Sequence, residues 1–314
     1  MRLGVLDVGS NTVHLLVVDA HRGAHPWPAH SEKTVLRLAE QIGPDGALRE
    51  AGADALVTAV EAARTSAADL EVDDLIAFAT SAVRDATNAA EVLTRVRDST
   101  GVRLEVLSGA DEARMTFLAV RRWFGWSAGR LLVLDIGGGS LEVAAGIDED
   151  PDVAVSLPLG AGRLTRDRLD VDPDSTAPPA PETVEQLREY VDALLDPVAE
   201  RMTEVGWERS VATSKTFRTL ARLAGAAPSG AGLWARRRLT RSGLRQVLGF
   251  IRHIPPAQLV ELEGVSAGRA HQLLAGAVVA ESVMRRLGID ALDVCPWALR
   301  EGVILSRLDR LTPV

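Results

Sequence analysis

Twice in this chain an apolar run ends in an aspartate and a glycine turn: Leu6-Asp7-Val8-Gly9-Ser10-Asn11 near the start, and Leu134-Asp135-Ile136-Gly137-Gly138-Gly139-Ser140 in the middle. In each copy the aspartate closes a strand. The glycines are expected to bring backbone N–H groups up to an anion at φ values that other residues resist. Two phosphate loops, each with a carboxylate for a metal ion, imply phosphoryl chemistry. An aspartate–glycine turn alone is ordinarily just a turn; its recurrence in equivalent strand contexts is what points to function. At 314 residues the chain exceeds a usual single core, so two domains are expected, one turn in each.

A content of 46 % hydrophobic and 25 % charged residues describes a globular protein able to bury sizeable cores. The net charge of −8 argues against general nucleic-acid binding, which needs a basic face, so a polyanionic ligand must meet local arginines. Cys295 is the only cysteine, which fits a reducing cytoplasm. The N-terminus reaches Asp7 too soon for a signal h-region and reads as a first strand. The longest apolar stretch, Leu273 to Met284, is interrupted by Glu281 and falls short of the ~20 residues that cross a bilayer, so no membrane span is expected.

Strands are expected at Leu3–Asp7, Val13–Asp19, Thr34–Leu38, Leu75–Thr80 and Val102–Leu107, with helices over Arg49–Ala68 and Asn88–Thr100. Ser108 makes a good N-cap for a helix running to about Phe124, which puts Glu112 at a helix N-terminus. The second half restarts the pattern with strands Leu131–Asp135, Ser140–Ile147 and Val153–Leu157, followed by a proline-rich loop over Val171–Pro181 and a helix over Glu182–Glu204. Val211–Ala212 closes a short strand, Thr213-Ser214-Lys215-Thr216 reads as a polar turn, and helices follow at Phe217–Leu223, Arg241–His253, Ser266–Leu287 and Ala298–Leu308.

These segments resemble the exopolyphosphatase and guanosine pentaphosphate phosphatase (Ppx/GppA) family, within the actin-like superfamily of sugar kinases, acetate kinase and chaperone ATPases. The carriers are Asp7-Val8-Gly9-Ser10-Asn11-Thr12, Ala79-Thr80-Ser81-Ala82-Val83-Arg84-Asp85-Ala86 with Asn88, Ser108-Gly109-Ala110-Asp111-Glu112-Ala113-Arg114, and Asp135-Ile136-Gly137-Gly138-Gly139-Ser140-Leu141-Glu142. Leu159-Gly160-Ala161-Gly162, Thr213-Ser214-Lys215-Thr216 and Leu299-Arg300-Glu301-Gly302 fit the same pattern. Thr12 stands where the family often has serine, Asp111 where it often has a second glutamate, and Lys215 where many members have glycine.

The resemblance implies an α/β fold of two actin-like (ribonuclease H-like) domains, each a mixed sheet flanked by helices, with the active site in the cleft between them. The domains are expected at 1–127 and 128–314, with the boundary near Trp126–Arg130 and a terminal helix at about 298–310 packing back on the first. By the same resemblance Glu112 is the general base that holds the attacking water. Asp7, Asp135 and Glu142 form the carboxylate set for Mg²⁺, with Mn²⁺ as the alternative ion. Gly9, Ser10, Asn11, Gly137, Gly138, Gly139 and Ser140 supply donors to phosphate oxygens, and Arg84 clamps one with its planar fork.

The activity implied is Mg²⁺-dependent hydrolysis of the terminal phosphoanhydride bonds of inorganic polyphosphate. Shorter chains should be favoured, because longer relatives carry an additional helical region whereas this chain stops at Val314. The same chemistry on guanosine pentaphosphate is the alternative, followed by phosphotransfer to an acceptor such as ADP and, from another class, a non-catalytic sensor of polyphosphate or guanosine polyphosphates. A homodimer is expected by family, with no nucleic-acid or membrane partner. Arg236-Arg237-Arg238 is weighed as a basic track for a polyphosphate tail against an ordinary solvated run. His21, His25 and His30 read as loop residues around Pro26 and Pro28, and His14 as a strand residue. Trp123, Trp126, Trp207, Trp234 and Trp297 show no stacking-platform pattern for bases and are assigned to cores or an oligomer interface.

Overall fold

A computed structural model describes residues 1–21, 25–169, 171 and 174–310. Two compact units emerge: Met1–Met115 with Leu299–Val314, and Thr116–Ala298. The division falls inside a helix between Met115 and Thr116, upstream of the expected Trp126–Arg130.

In the first unit β1 (Arg2–Val8), β2 (Thr12–Asp19), β3 (Pro28–Val35), β4 (Asp74–Ala79) and β5 (Glu105–Val106) form one sheet in the order β3-β2-β1-β4-β5. β1 is antiparallel to β2 and parallel to β4. The helices are α1 (Glu50–Asp69), α2 (Ser81–Arg84), α3 (Ala89–Thr100) and α4 (Gly109–Phe124), the last crossing the division. In the second unit β6 (Leu131–Ile136), β7 (Leu141–Gly146), β8 (Val153–Leu157), β9 (Arg209–Ala212), β10 (Arg238–Thr240) and β11 (Ala291–Val294) pair in the order β10-β11-β9-β6-β7-β8. Its helices are α5 (Ala161–Leu164), α6 (Pro181–Val205), α7 (Ser214–Leu223), α8 (Arg241–Ile251) and α9 (Leu273–Arg286); α10 (Leu299–Asp309) returns to the first unit.

Strand alternation explains the layers of the first unit. Successive residues of β1 point to opposite faces. Leu6 and Val8 therefore join Leu56 and Val60 of α1 and Val96 of α3 in one core, while Leu3 and Val5 join Leu16, Val18 and Phe78 under Ile304 and Leu308 of α10. Asp7 continues the second stripe, and its antiparallel partner is His14. Arg300, Ile304 and Leu308 recur every four residues, so they share one face of α10. The apolar pair covers the apolar rungs, and Arg300 arrives over the Asp7–His14 rung. Gly302 permits this approach: a Cβ there would lie 1.9 Å from the Met115 carbonyl oxygen of α4.

In the second unit the apolar stretch Leu273 to Met284 is the buried helix α9, packed with α6 against β6 and β7. Its Glu281 is buried beside Arg285, with Nε to carboxylate oxygen at 3.5 Å. No helix among the described residues is long and apolar enough to cross a membrane.

Several expectations need correction. The third strand is Pro28–Val35 rather than Thr34–Leu38, because its pairing runs along β2 from Thr12↔Val35 back to Val18↔Pro28. Proline is tolerated at that first strand position, and the strand takes in His30, removing it from a loop. Only Glu105–Val106 of the expected Val102–Leu107 strand pairs, two residues beside β4. Ser214 through Thr216 begin α7 instead of forming a separate turn. Ala267–Gln272 is a 3₁₀ turn ahead of α9. Pro181 opens α6, where its missing N–H costs nothing, and Pro173 of the proline-rich segment lies outside the described residues.

Candidate active site

In the first unit the turn after β1 closes with Gly9 N donating to Thr12 O at 3.0 Å; in the second, Gly137 N donates to Ser140 O at 2.9 Å. Neither Gly9 nor Gly137 lies in the left-handed region, which corrects the expectation that these glycines serve by unusual φ. An added Cβ would only touch the closing carbonyl oxygen, at 3.4 Å in both turns, an ordinary contact distance. The repeat goes further than the glycines. Asp7 faces His14 across β1–β2, and Asp135 faces Glu142 across β6–β7, seven positions on in each copy. Ala79-Thr80-Ser81 follows the parallel neighbour of β1, and Ala212-Thr213-Ser214 follows that of β6. Thr80 N donates to Val8 O and Thr213 N to Leu134 O, at 3.0 and 2.9 Å. The likeness is one of topology: Thr80 follows the residue paired with Val8, just after Asp7, whereas Thr213 follows the residue paired with Leu134, just before Asp135, so the two parallel pairings differ in register by two residues.

Glu112 occupies the first turn of α4 and is 6 % exposed. Ser108 caps that helix: its Oγ accepts from Asp111 N at 3.1 Å and donates to the Asp111 carboxylate at 2.6 Å. Arg84, at the end of α2, brings its guanidinium onto Glu112 Oε1 in a short ion pair. The same side chain donates to Leu107 O at 3.1 Å and to Asp85 Oδ1 at 3.0 Å. Burial opposes the charge on Arg84, but the Glu112 and Asp85 carboxylates outweigh it, leaving the guanidinium pKa above its usual value. Ser10 and Asn11 are buried, and the Ser10 hydroxyl shares a 3.0 Å hydrogen bond with that of Ser81.

Asp7 accepts from Arg300 Nη1 at 2.9 Å. In the sequence Arg300 stands only within the Leu299-Arg300-Glu301-Gly302 segment; the signal for its contact is the four-residue spacing to Ile304 and Leu308. In the second unit Asp135 Oδ2 accepts from Thr213 Oγ1 at 2.6 Å, and Glu142 Oε1 accepts from Ser156 Oγ at 2.8 Å. Ser156 is Glu142's partner across β7–β8, so three adjacent strands present Asp135, Glu142 and Ser156 as one polar row. Gly138 O accepts from Arg163 N and Gly139 O from Arg163 Nε. Gly160 packs against this turn so tightly that a Cβ would sit 2.2 Å from Gly139 C and 2.3 Å from Ser140 N.

Asp135 and Glu142 are two oxygen donors side by side, which fits Mg²⁺, an ion bound through one or two carboxylates while keeping several waters. Asp7 belongs to the other unit and is held by Arg300. Among the described residues no group of three or more His, Cys, Asp or Glu side chains gathers as a metal cluster.

The other candidates separate clearly. Arg237 donates to the carbonyls of Ala227, Pro228, Ser229, Gly232 and Ala235, so it staples its own loop and is unsuited to a tail track. Trp123, assigned from the sequence to a core or an interface, stacks on Trp234 at 4.6 Å between ring centroids and takes the edge of Trp297 at 5.2 Å. Long-range folding brings these three together.

Comparison with known proteins accords with this arrangement. The chain matches the model of the Ppx/GppA phosphatase family over residues 17–311. It is 58 % identical to Exopolyphosphatase 1 of Mycobacterium tuberculosis over 310 residues, 98 % of this chain and 89 % of that protein. A guanosine-5'-triphosphate,3'-diphosphate pyrophosphatase of Aeromonas hydrophila is 27 % identical, over 96 % of this chain and 58 % of its own length. The crystal structure of an exopolyphosphatase from Cytophaga hutchinsonii superposes with a TM-score of 0.88 at 25 % identity, covering 99 % of both chains. The expected fold of two actin-like α/β domains is thereby borne out. The chain belongs to the Ppx/GppA phosphatase family.

Proposed function

We propose that this chain is an exopolyphosphatase that removes orthophosphate from the end of inorganic polyphosphate. The observation that carries the proposal is the Arg84–Glu112 pair, a buried carboxylate held by a cation at the start of α4, in a chain 58 % identical to a protein named Exopolyphosphatase 1. Glu112 holds the attacking water and takes its proton as the water oxygen bonds to the terminal phosphorus. The bridging P–O bond breaks, and the shortened chain leaves with its electron pair. Arg84 exchanges part of its contact with Glu112 for a phosphate oxygen, for which its planar fork is suited.

The first unit supplies Gly9, Ser10 and Asn11 as further donors, and the second supplies Gly137, Gly138, Gly139 and Ser140. Asp135 and Glu142 would hold Mg²⁺ or Mn²⁺ in this reading, with Asp7 the further carboxylate expected from the sequence. The ion, when bound, neutralises charge on the transferred phosphoryl group. The homodimer and cytoplasmic setting expected from the sequence stand with this proposal; sedimentation and cell fractionation test them.

The deciding experiment is orthophosphate release from polyphosphate, guanosine pentaphosphate and ATP, each with and without Mg²⁺, for the wild type and Glu112→Gln. Release from polyphosphate that requires Mg²⁺ and falls by about 10²–10⁴-fold in the variant is expected. Preference for guanosine pentaphosphate would reassign the substrate. Tight binding without release would make the protein a sensor.

A further inference from the structure

Lys215, the residue standing where many family members have glycine, lies half-buried in the first turn of α7. Among the described residues no carboxylate pairs with it. Burial first, and then the neighbouring cations Arg218 and Arg269, hold its ammonium pKa below the usual lysine value. Lys215 and Arg269 line one recess together with Thr216, Thr219, Ser266 and Gln272. Ala161 lines it too, and Ala161 N donates to Gly137 O at 3.0 Å. The recess therefore adjoins the glycine turn of the second unit. A Cβ on Gly162, two residues along from Gly160, would lie 3.1 Å from Gly138 O and 3.2 Å from the Gln272 side chain, so backbone packing fixes this adjacency.

Partly desolvated like charges held close together cost free energy that a bound anion offsets. The remaining polar lining consists of hydroxyls and one amide, which can donate to phosphate oxygens. No aromatic side chain lines the recess, so a nucleobase would find no stacking surface there. From this geometry we infer that Lys215, with Arg269, binds a phosphoryl group of an inorganic polyphosphate chain beyond the one held at the Gly137–Ser140 turn. Lys215 is thus a residue that sets the affinity for an extended phosphate chain. This role rests on the exopolyphosphatase reading for its substrate, but its test does not rest on turnover.

The test compares the wild type with Lys215→Met and Lys215→Arg, using calorimetric binding and orthophosphate release with tripolyphosphate and with a long polyphosphate. Lys215→Met should raise Kd and KM for the long chain about tenfold, as expected for loss of one charge-assisted contact, with kcat unchanged. The tripolyphosphate constants should stay within twofold, and Lys215→Arg should recover long-chain binding. Circular dichroism and Tm check folding, and Lys215→Gly replaces the methionine variant if that one is unfolded. An unchanged long-chain Kd, or an equal loss for both phosphates, overturns the inference. Lysine-dependent chain binding without orthophosphate release would keep the subsite and overturn the hydrolase; no polyphosphate binding by the wild type would overturn both.

Discussion

His14 makes acid sensitivity a direct test of how the first unit's turn is built. It lies opposite Asp7, is 4 % exposed, places Nε2 2.9 Å from Ser31 Oγ, and has no partner for Nδ1. Burial first, and then the Arg300 and Lys33 cations, pull its pKa from 6.5 down to about 3. The unfolded chain thus binds a proton that the folded chain refuses in the window between those values. Stability contributed by the neutral imidazole is fully present above pH 6.5 and is lost as pH falls towards 3. Each pH unit within the window is worth about 1.4 kcal/mol, so the loss is about 3 kcal/mol by pH 4.5 and about 5 kcal/mol over the whole window. His14→Gln keeps a polar group for Ser31 and removes the titration. Urea unfolding of both proteins from pH 7.5 to 4.5, with hydrogen exchange of the β1 and β2 amides to report on this sheet, measures the difference. The wild type should lose about 3 kcal/mol more than the variant over that range. Parallel stability curves would mean that His14 charges freely in the folded state, and the account of a sealed Asp7–His14–Arg300 rung would be wrong.

Three further outcomes follow from the same geometry. Gly160→Ala places a methyl group 2.2–2.4 Å from the Gly139–Ser140 backbone, so the turn must shift, with about 1–3 kcal/mol of destabilisation and loss of orthophosphate release, read by melting and assay. Arg300→Met leaves the Asp7 carboxylate without its α10 cation and should cost about 1–3 kcal/mol in urea unfolding, whereas an unchanged midpoint would show that pair to be weak. Arg237→Ala releases a loop held through five carbonyls and should lower Tm while leaving KM for long polyphosphate unchanged; a raised KM with unchanged Tm would revive the basic track.

The sequence was most informative where the physics is local. The strands on either side of each glycine turn follow from two-residue alternation, and α4 from Ser108, whose hydroxyl accepts the N–H three residues on. Glu112 was legible through its motif. Its contact with Arg84 links α2 to α4, and the motifs left open which cation would hold it. The third strand was misplaced because pairing with β2, rather than the propensity of Thr34–Leu38, decides which residues extend.

What the sequence alone determined was the duplication of a strand–aspartate–glycine turn–strand unit, the acidic helix start and the absence of a long uninterrupted apolar span, all carried by neighbours within a few residues. Tertiary structure decided which cation meets Asp7, that Thr213 rather than another hydroxyl meets Asp135, that Gly160 is needed for its lack of a Cβ, and that three tryptophans far apart in the chain share one cluster. Those choices depend on strand register and on how closely backbones approach. Both are set by burying whole sheet faces and helix stripes, a collective balance that no short segment of sequence contains.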